Sequence, residues 1–179
     1  MNEPRPPPDG SAACPTVASV FTDPAHLLAF FFGAGLSPWA PGTAGTLAAI
    51  PLWYLLGWLP WPFYLAVVLA LFAFGCWVCD LSARRLGIHD FGGIVFDEVV
   101  GFLLTCVPLL PSLGWAPGRW PAWAGVAAAF VLFRLFDIWK PWPIRWFDRS
   151  VGGGFGIMLD DMLAAMYAAA LLALAVRYL

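Results

Sequence analysis

Four apolar runs, each long enough to cross a bilayer, restrict what this chain can fold into. They are residues 61–80, 96–113, 121–139 and 160–178. A spanning helix needs about 20 apolar residues, with a working range of roughly 17–25. A fifth run, 44–59, is short and contains Pro51. Residues 24–34 (PAHLLAFFFGA) are too short to span and read as an interfacial or partly buried helix. The expected fold is all-α: a polytopic membrane bundle of four to five spans plus an interfacial N-terminal helix.

Composition agrees. Hydrophobic residues make up 61% of the chain and charged residues 11%. A soluble domain is typically 45–50% apolar and about 25% charged, so there is too little charge here to cover a water-facing surface. The 11 tryptophans suit membrane–water interfaces. No basic tract suggests a nucleic-acid partner. Residues 1–17 are Pro-rich and polar, without the apolar core of a signal peptide, and read as a disordered tail before one membrane-embedded domain, 18–179. Cys76 and Cys79 form a CxxC with no second ligand pair. They read as small apolar residues on one helix face.

If all five runs cross, the charges sort by side. Every acid then falls on the side of the 80–97 and 139–160 loops or at helix ends facing it, with Arg84, Arg85, Lys140, Arg145 and Arg149. Only Arg119 and Arg177 lie opposite. The positive-inside rule makes the charged side cytoplasmic. Asp97, Glu98, Asp137, Asp160 and Asp161 adjoin or enter apolar runs. Ionisable groups there are expensive and default to function.

Four stretches collect the candidate residues. In GAGLSPWAPGTAGT (33–46), glycine and proline force a defined path, and a helix is expected from about Thr46. Thr43 or Thr46 can cap it or help to bind an anion. In HDFGGIVFDEVVG (89–101), Asp97 and Glu98 open a span. Neighbouring side chains on a helix diverge by about 100°. The pair could therefore bind two cations, or split into ligand and base, or only compensate the helix dipole. Asp90 precedes the Gly-Gly turn, and His89 is a proton shuttle or a plain loop residue.

In FRLFDIWKPWPI (133–144), Arg134, Asp137 and Lys140 recur every three residues, near one helix face. Asp137 could pair with Arg134, or bind metal while Arg134 binds phosphate. In GGGFGIMLDDMLA (152–164), glycines lead to Asp160 and Asp161, which are expected to open the last span.

So many carboxylates on one face imply divalent cations, because unpaired they would repel one another. The adjacent Arg and Lys imply an anionic substrate, and phosphate suits both. The residues alone lead to a metal-dependent enzyme acting on a phospholipid head group. Hydrolysis and phosphotransfer stay open at this level.

The four blocks, in this order and covering about residues 30–170, resemble the signature blocks of the phosphatidylglycerophosphatase A family. Phe91 stands where that family often has proline. The resemblance implies a Mg²⁺-dependent lipid phosphatase of the bacterial inner membrane. It would convert phosphatidylglycerophosphate, taken from the cytoplasmic leaflet, to phosphatidylglycerol and inorganic phosphate. No motif for a cysteine, histidine or aspartate nucleophile is present, which favours a metal-activated water. On this expectation Asp97, Glu98, Asp137 and Asp161 hold Mg²⁺, with Asp160 and Asp90 as further ligands. Arg134 and Lys140 hold phosphoryl oxygens, and Thr43 and Thr46 cradle the phosphate. Two rivals are a head-group transferase, which lacks its expected aspartate motif here, and a channel or transport subunit, which would want polar residues along the spans.

Overall fold

A computed structural model of the chain describes residues 15–88, 91–113 and 122–178. The described residues are helical and contain no strand. Two short helices come first. α1 (Val17–Thr22) opens on a reciprocal cap: Ser19 N–H donates to Thr16 Oγ1 at 3.1 Å, and Thr16 N–H donates to Ser19 Oγ at 2.9 Å. Residues 16 and 17, expected in the tail, therefore belong to the folded unit. α2 (Pro24–Ala29) starts at a proline behind Asp23, whose Oδ1 accepts from Ala25 N–H at 2.8 Å. Ala25, His26 and Ala29 are buried, so this segment is a packed helix rather than a purely interfacial one.

α3 (Pro41–Leu56) begins at Pro41, five residues before the predicted start, because proline fits the first helical position. α4 (Trp61–Leu86) has 26 residues and stops at Gly87, which takes the left-handed conformation at φ +68°. α5 (Phe96–Thr105) has only 10 residues. Two 3₁₀ turns, Val107–Leu109 and Pro111–Leu113, follow it. The run 96–113 is therefore not one helix: Pro108 and Pro111 lack the N–H that a continuing α-helix needs. α6 (Ala122–Trp139) has 18 residues, and α7 (Ile144–Ser150) is a short corner. α8 (Gly153–Tyr178) has 26 residues and starts seven positions before Asp160.

The early start of α8 has a local cause. Asp80 of α4 accepts from Gly154 N–H at 3.2 Å, which satisfies one free donor at the helix end. Gly154 also allows close approach, since a β-carbon there would sit 1.9 Å from the carbonyl oxygen of Cys76. α8 packs against α4, α5, α6 and α7, so it forms the middle of the bundle. α3 lies on α5, and α2 on α4. Tyr64 ties α4 to α5 by donating to the Leu103 carbonyl at 2.7 Å. Cys76, Cys79 and Cys106 are unbridged.

Among the described residues, α4 and α8 are long and apolar enough to cross a membrane, fewer than the four to five spans expected. Each rises about 39 Å over its 26 residues. α4 does not look like the core helix of a soluble bundle. Only 28% of its apolar window is buried, and Leu69 and Trp77 stand exposed.

Candidate active site

The site begins where α5 begins. Val95 N–H donates to the Ala29 carbonyl at 2.9 Å, which pins the head of α5 to the last residue of α2. Asp97 and Glu98 fill the first turn. Asp97 Oδ1 accepts from Glu98 N–H at 3.0 Å, so its carboxylate folds back over the helix end. Although adjacent, both side chains then reach one cavity. Asp161 meets them from α8. One carboxylate oxygen from each of Asp97, Glu98 and Asp161 lies within 4.8 Å of the others.

This trio is costly as it stands. Asp161 is 3% exposed, and its Oδ2 and Glu98 Oε2 are buried without hydrogen-bond partners. Buried carboxylate oxygens without donors are destabilising, and clustered like charges add to that. Convergent, unsatisfied carboxylate oxygens match what a hard divalent cation takes.

The end of α6 closes a second wall. Arg134 Nη1 lies 2.5 Å from Asp137 Oδ2 and 3.8 Å from Glu98 Oε1. Asp137 also faces Asp161. Lys140 Nζ donates to Asp148 Oδ1 at 2.7 Å and to Asp160 Oδ2 at 2.5 Å. Burial disfavours its ammonium, but Asp160 and Asp148 more than offset that and hold its pKa above the ordinary lysine value. Asp160 Oδ1 stays without a partner.

A cavity of about 140 Å³ joins these groups. Its charged lining is Asp97, Glu98, Asp137, Asp148, Asp160 and Asp161 against Lys140. Gly92 and Gly156 contribute backbone to the wall.

Asp97, Glu98, Asp137, Lys140, Asp160 and Asp161 thus come together as expected. Asp160 and Asp161 do so from inside α8, not from its opening turn, so dipole compensation does not account for them. Arg134 lies behind the carboxylates and does not line the cavity. Thr46 is a correction. It is fully buried, and its Oγ1 donates to the Gly42 carbonyl at 2.8 Å, inside α3. It neither caps the helix nor faces the cavity. Thr43, in the first turn of α3, is likewise absent from the lining. His89 and Asp90 lie outside the described residues.

Two contributors escaped sequence reasoning. Asp148 is not among the candidate residues of the sequence, but the turn at 141–143 folds it back eight residues onto Lys140. The Pro-Trp-Pro corner was the available signal. Gly42 carries no functional group, and a β-carbon there would sit 2.9 Å from Arg134 Nη1. Only the tertiary contact reveals it.

The family model described as Phosphatidylglycerophosphatase A matches residues 27–176. A protein named phosphatidylglycerophosphatase A from Escherichia coli (strain K12) is 50% identical over 151 residues, 84% of this chain and 83% of its own length. A protein of the same name from Haemophilus influenzae is 46% identical over 147 residues, 82% of this chain and 85% of its own. A Bacteroides thetaiotaomicron protein, provisionally named a phosphatidylinositol-3-phosphatase, is 41% identical over 149 residues, 80% of this chain and 88% of its own. No solved structure matches the chain.

Proposed function

The chain belongs to the phosphatidylglycerophosphatase A family, and from that premise we propose that the cavity between α5, α6 and α8 hydrolyses phosphatidylglycerophosphate to phosphatidylglycerol and inorganic phosphate. The carrying observation is the trio Asp97, Glu98 and Asp161, with unpartnered buried oxygens at the edge of a cavity that also presents Lys140.

In this reading Asp97, Glu98 and Asp161 hold Mg²⁺, and Asp137 and Asp160 stand beside them. The bound ion supplies Lewis-acid polarisation of the phosphoryl oxygens and a more acidic water. Lys140 faces the cavity and offers its ammonium to the phosphoryl oxygens as charge builds on them. Its present partners, Asp148 and Asp160, keep it charged and aimed inward. Arg134 fixes Asp137 through their ion pair rather than meeting phosphate. Hydrolysis breaks the bond from phosphorus to the head-group oxygen. The water oxygen ends on phosphate, a cavity carboxylate takes one proton of the water, and that proton passes to the leaving head-group oxygen to form the alcohol of phosphatidylglycerol.

The same reading sets the protein in the bacterial inner membrane. α4 and α8 cross, and α3 and α6, rising about 24 and 27 Å, cross beside them. α5 and its two 3₁₀ turns reach part of the way. The end that carries the cavity also carries Arg84, Arg85, Lys140, Arg145 and Arg149, which favours the cytoplasmic face.

The test is phosphate release by the purified full-length protein in proteoliposomes. The panel is phosphatidylglycerophosphate, phosphatidate, phosphatidylinositol 3-phosphate and glycerol 3-phosphate. The expected result is release from phosphatidylglycerophosphate foremost, abolished by EDTA and restored by Mg²⁺. Preference for the inositol lipid would move the substrate toward the Bacteroides relative's name. No release from any member with Mg²⁺ present overturns the reading.

A further inference from the structure

The outer face of the α6–α7 corner has a character that the cavity chemistry does not use. Val131, Leu135 and Ile138 are 61%, 51% and 72% exposed, and their spacing puts them on one face of α6. That face runs into three exposed tryptophans: Trp139, Trp142 and Trp146, at 60%, 82% and 58%. Arg145 and Arg149 stand among them, both exposed. Arg145 Nη2 donates to the Trp139 carbonyl at 3.3 Å, which holds the guanidinium beside the end of α6. Neither arginine makes an ion pair with a carboxylate among the described residues. Lys140, on the inner side of the same corner, is gripped by Asp148 and Asp160.

The order along the surface is apolar, then aromatic, then cationic. That is the order of a bilayer from hydrocarbon to head group, and tryptophan concentrates at the boundary. The unpaired cations select among head groups. A basic side chain near the surface contributes about 1 kcal/mol of attraction to an acidic leaflet.

We propose that this corner is a docking surface for acidic phospholipid, with the tryptophans seated at the glycerol level and Arg145 and Arg149 on the head-group phosphates. The surface adjoins the cavity mouth through Lys140 and Asp148, so it concentrates acidic lipid where the substrate must enter. The inference rests on the membrane placement proposed above and not on the reaction.

The test is tryptophan quenching in reconstituted bilayers. Two probes are used at equal mole fraction, an acidic and a zwitterionic diacyl phospholipid, each brominated on acyl carbons near the glycerol. In the wild type the acidic probe should quench about twofold more. The excess should vanish in Arg145→Glu/Arg149→Glu and in Trp139→Phe/Trp142→Phe/Trp146→Phe. Arg145→Gln/Arg149→Gln serves if charge reversal prevents folding, as judged by circular dichroism. Equal quenching by both probes in the wild type, or an excess that survives the arginine variants, overturns the proposal. Quenching by neither, as for a corner covered by a protein partner, also overturns it. No turnover is measured, so failure here leaves the phosphatase reading untouched.

Discussion

A β-carbon on Gly42 would stand 2.2 Å from Glu98 Oε1, so the head of α3 can lie against the carboxylate cluster only because residue 42 has no side chain. Gly42→Ala should push Glu98 and Arg134 aside while leaving the helices formed. Displacing a reacting group by about 1 Å can cost on the order of 100-fold in rate. A fall in kcat/KM of about that size is expected, with the melting temperature nearly unchanged. Wild-type kinetics in this variant would show that the contact is only packing.

The carboxylate trio gives a prediction with two opposite signs. Asp97→Asn, Glu98→Gln and Asp161→Asn should each lower kcat by about 100-fold or more, as loss of a central electrostatic group does. They should also raise the Mg²⁺ concentration needed for half activity. In EDTA, however, each variant should melt at a higher temperature than the wild type, because one member of a crowded, unpaired set has been neutralised. Lower melting temperatures in EDTA would mean that the three side chains are structural.

His26 makes the N-terminal helices sensitive to acid. Its Nδ1 lies 2.8 Å from Ser82 Oγ in a buried contact that joins α2 to α4. Burial pushes the imidazole below its ordinary value of 6.5, Asp23 pulls it back in part, and Arg85 pushes it down further. The unfolded chain therefore binds this proton more readily than the folded one, and stability falls as pH drops below 6.5. Asp23 acts in the same direction at lower pH. Burial raises its pKa, but the Arg85 hydrogen bond, the Ala25 N–H and the charges of His26 and Arg85 together more than offset this, so its contribution is lost below its ordinary value of 3.8. Followed from pH 8 down to 5, the melting temperature of the wild type should fall relative to that of His26→Gln. An unchanged slope in His26→Gln would place the acid sensitivity elsewhere.

The contact of α4 with α8 should tolerate no added volume at Gly154. A methyl group there meets the Cys76 carbonyl at 1.9 Å and the Asp80 side chain at 2.6 Å. Overpacking typically costs about 1–3 kcal/mol, and backbone on the opposing side leaves little room to relax. Gly154→Ala should lower the denaturation midpoint and the yield in membranes. A variant of wild-type stability would mean that α8 can shift along α4 without harm.

The sequence made the acids conspicuous because charge in an apolar run has few bland explanations. Asp97, Glu98, Asp137, Asp160, Asp161 and Lys140 were legible for that reason, and the structure gathers them. The threonines were not, because a hydroxyl after a glycine loop reads the same whether it faces a ligand or its own helix. Thr46 faces its own helix. Boundaries failed in a similar way. Asp160 and Asp161 looked like the start of a helix, since glycines came before them. Gly153, Gly154 and Gly156 are instead the first turns of α8: Gly153 and Gly154 are small where α4 approaches, and Gly156 leaves room for the Val151 carbonyl.

By itself, the sequence determined the chemistry available: an apolar helical chain, acids and most cations gathered toward one end, and prolines and glycines that stop or admit particular elements. Composition and periodicity are properties of single segments, so one dimension suffices to read them. The tertiary structure alone decided which charges meet. Arg134 pairs with Asp137 behind the cavity, Lys140 turns inward to Asp148 and Asp160, and Glu98 Oε2 and Asp161 Oδ2 are left without partners. Those pairings depend on approach between helices far apart in the chain, and in a low-dielectric interior a few ångströms separate a salt bridge from an open ligand.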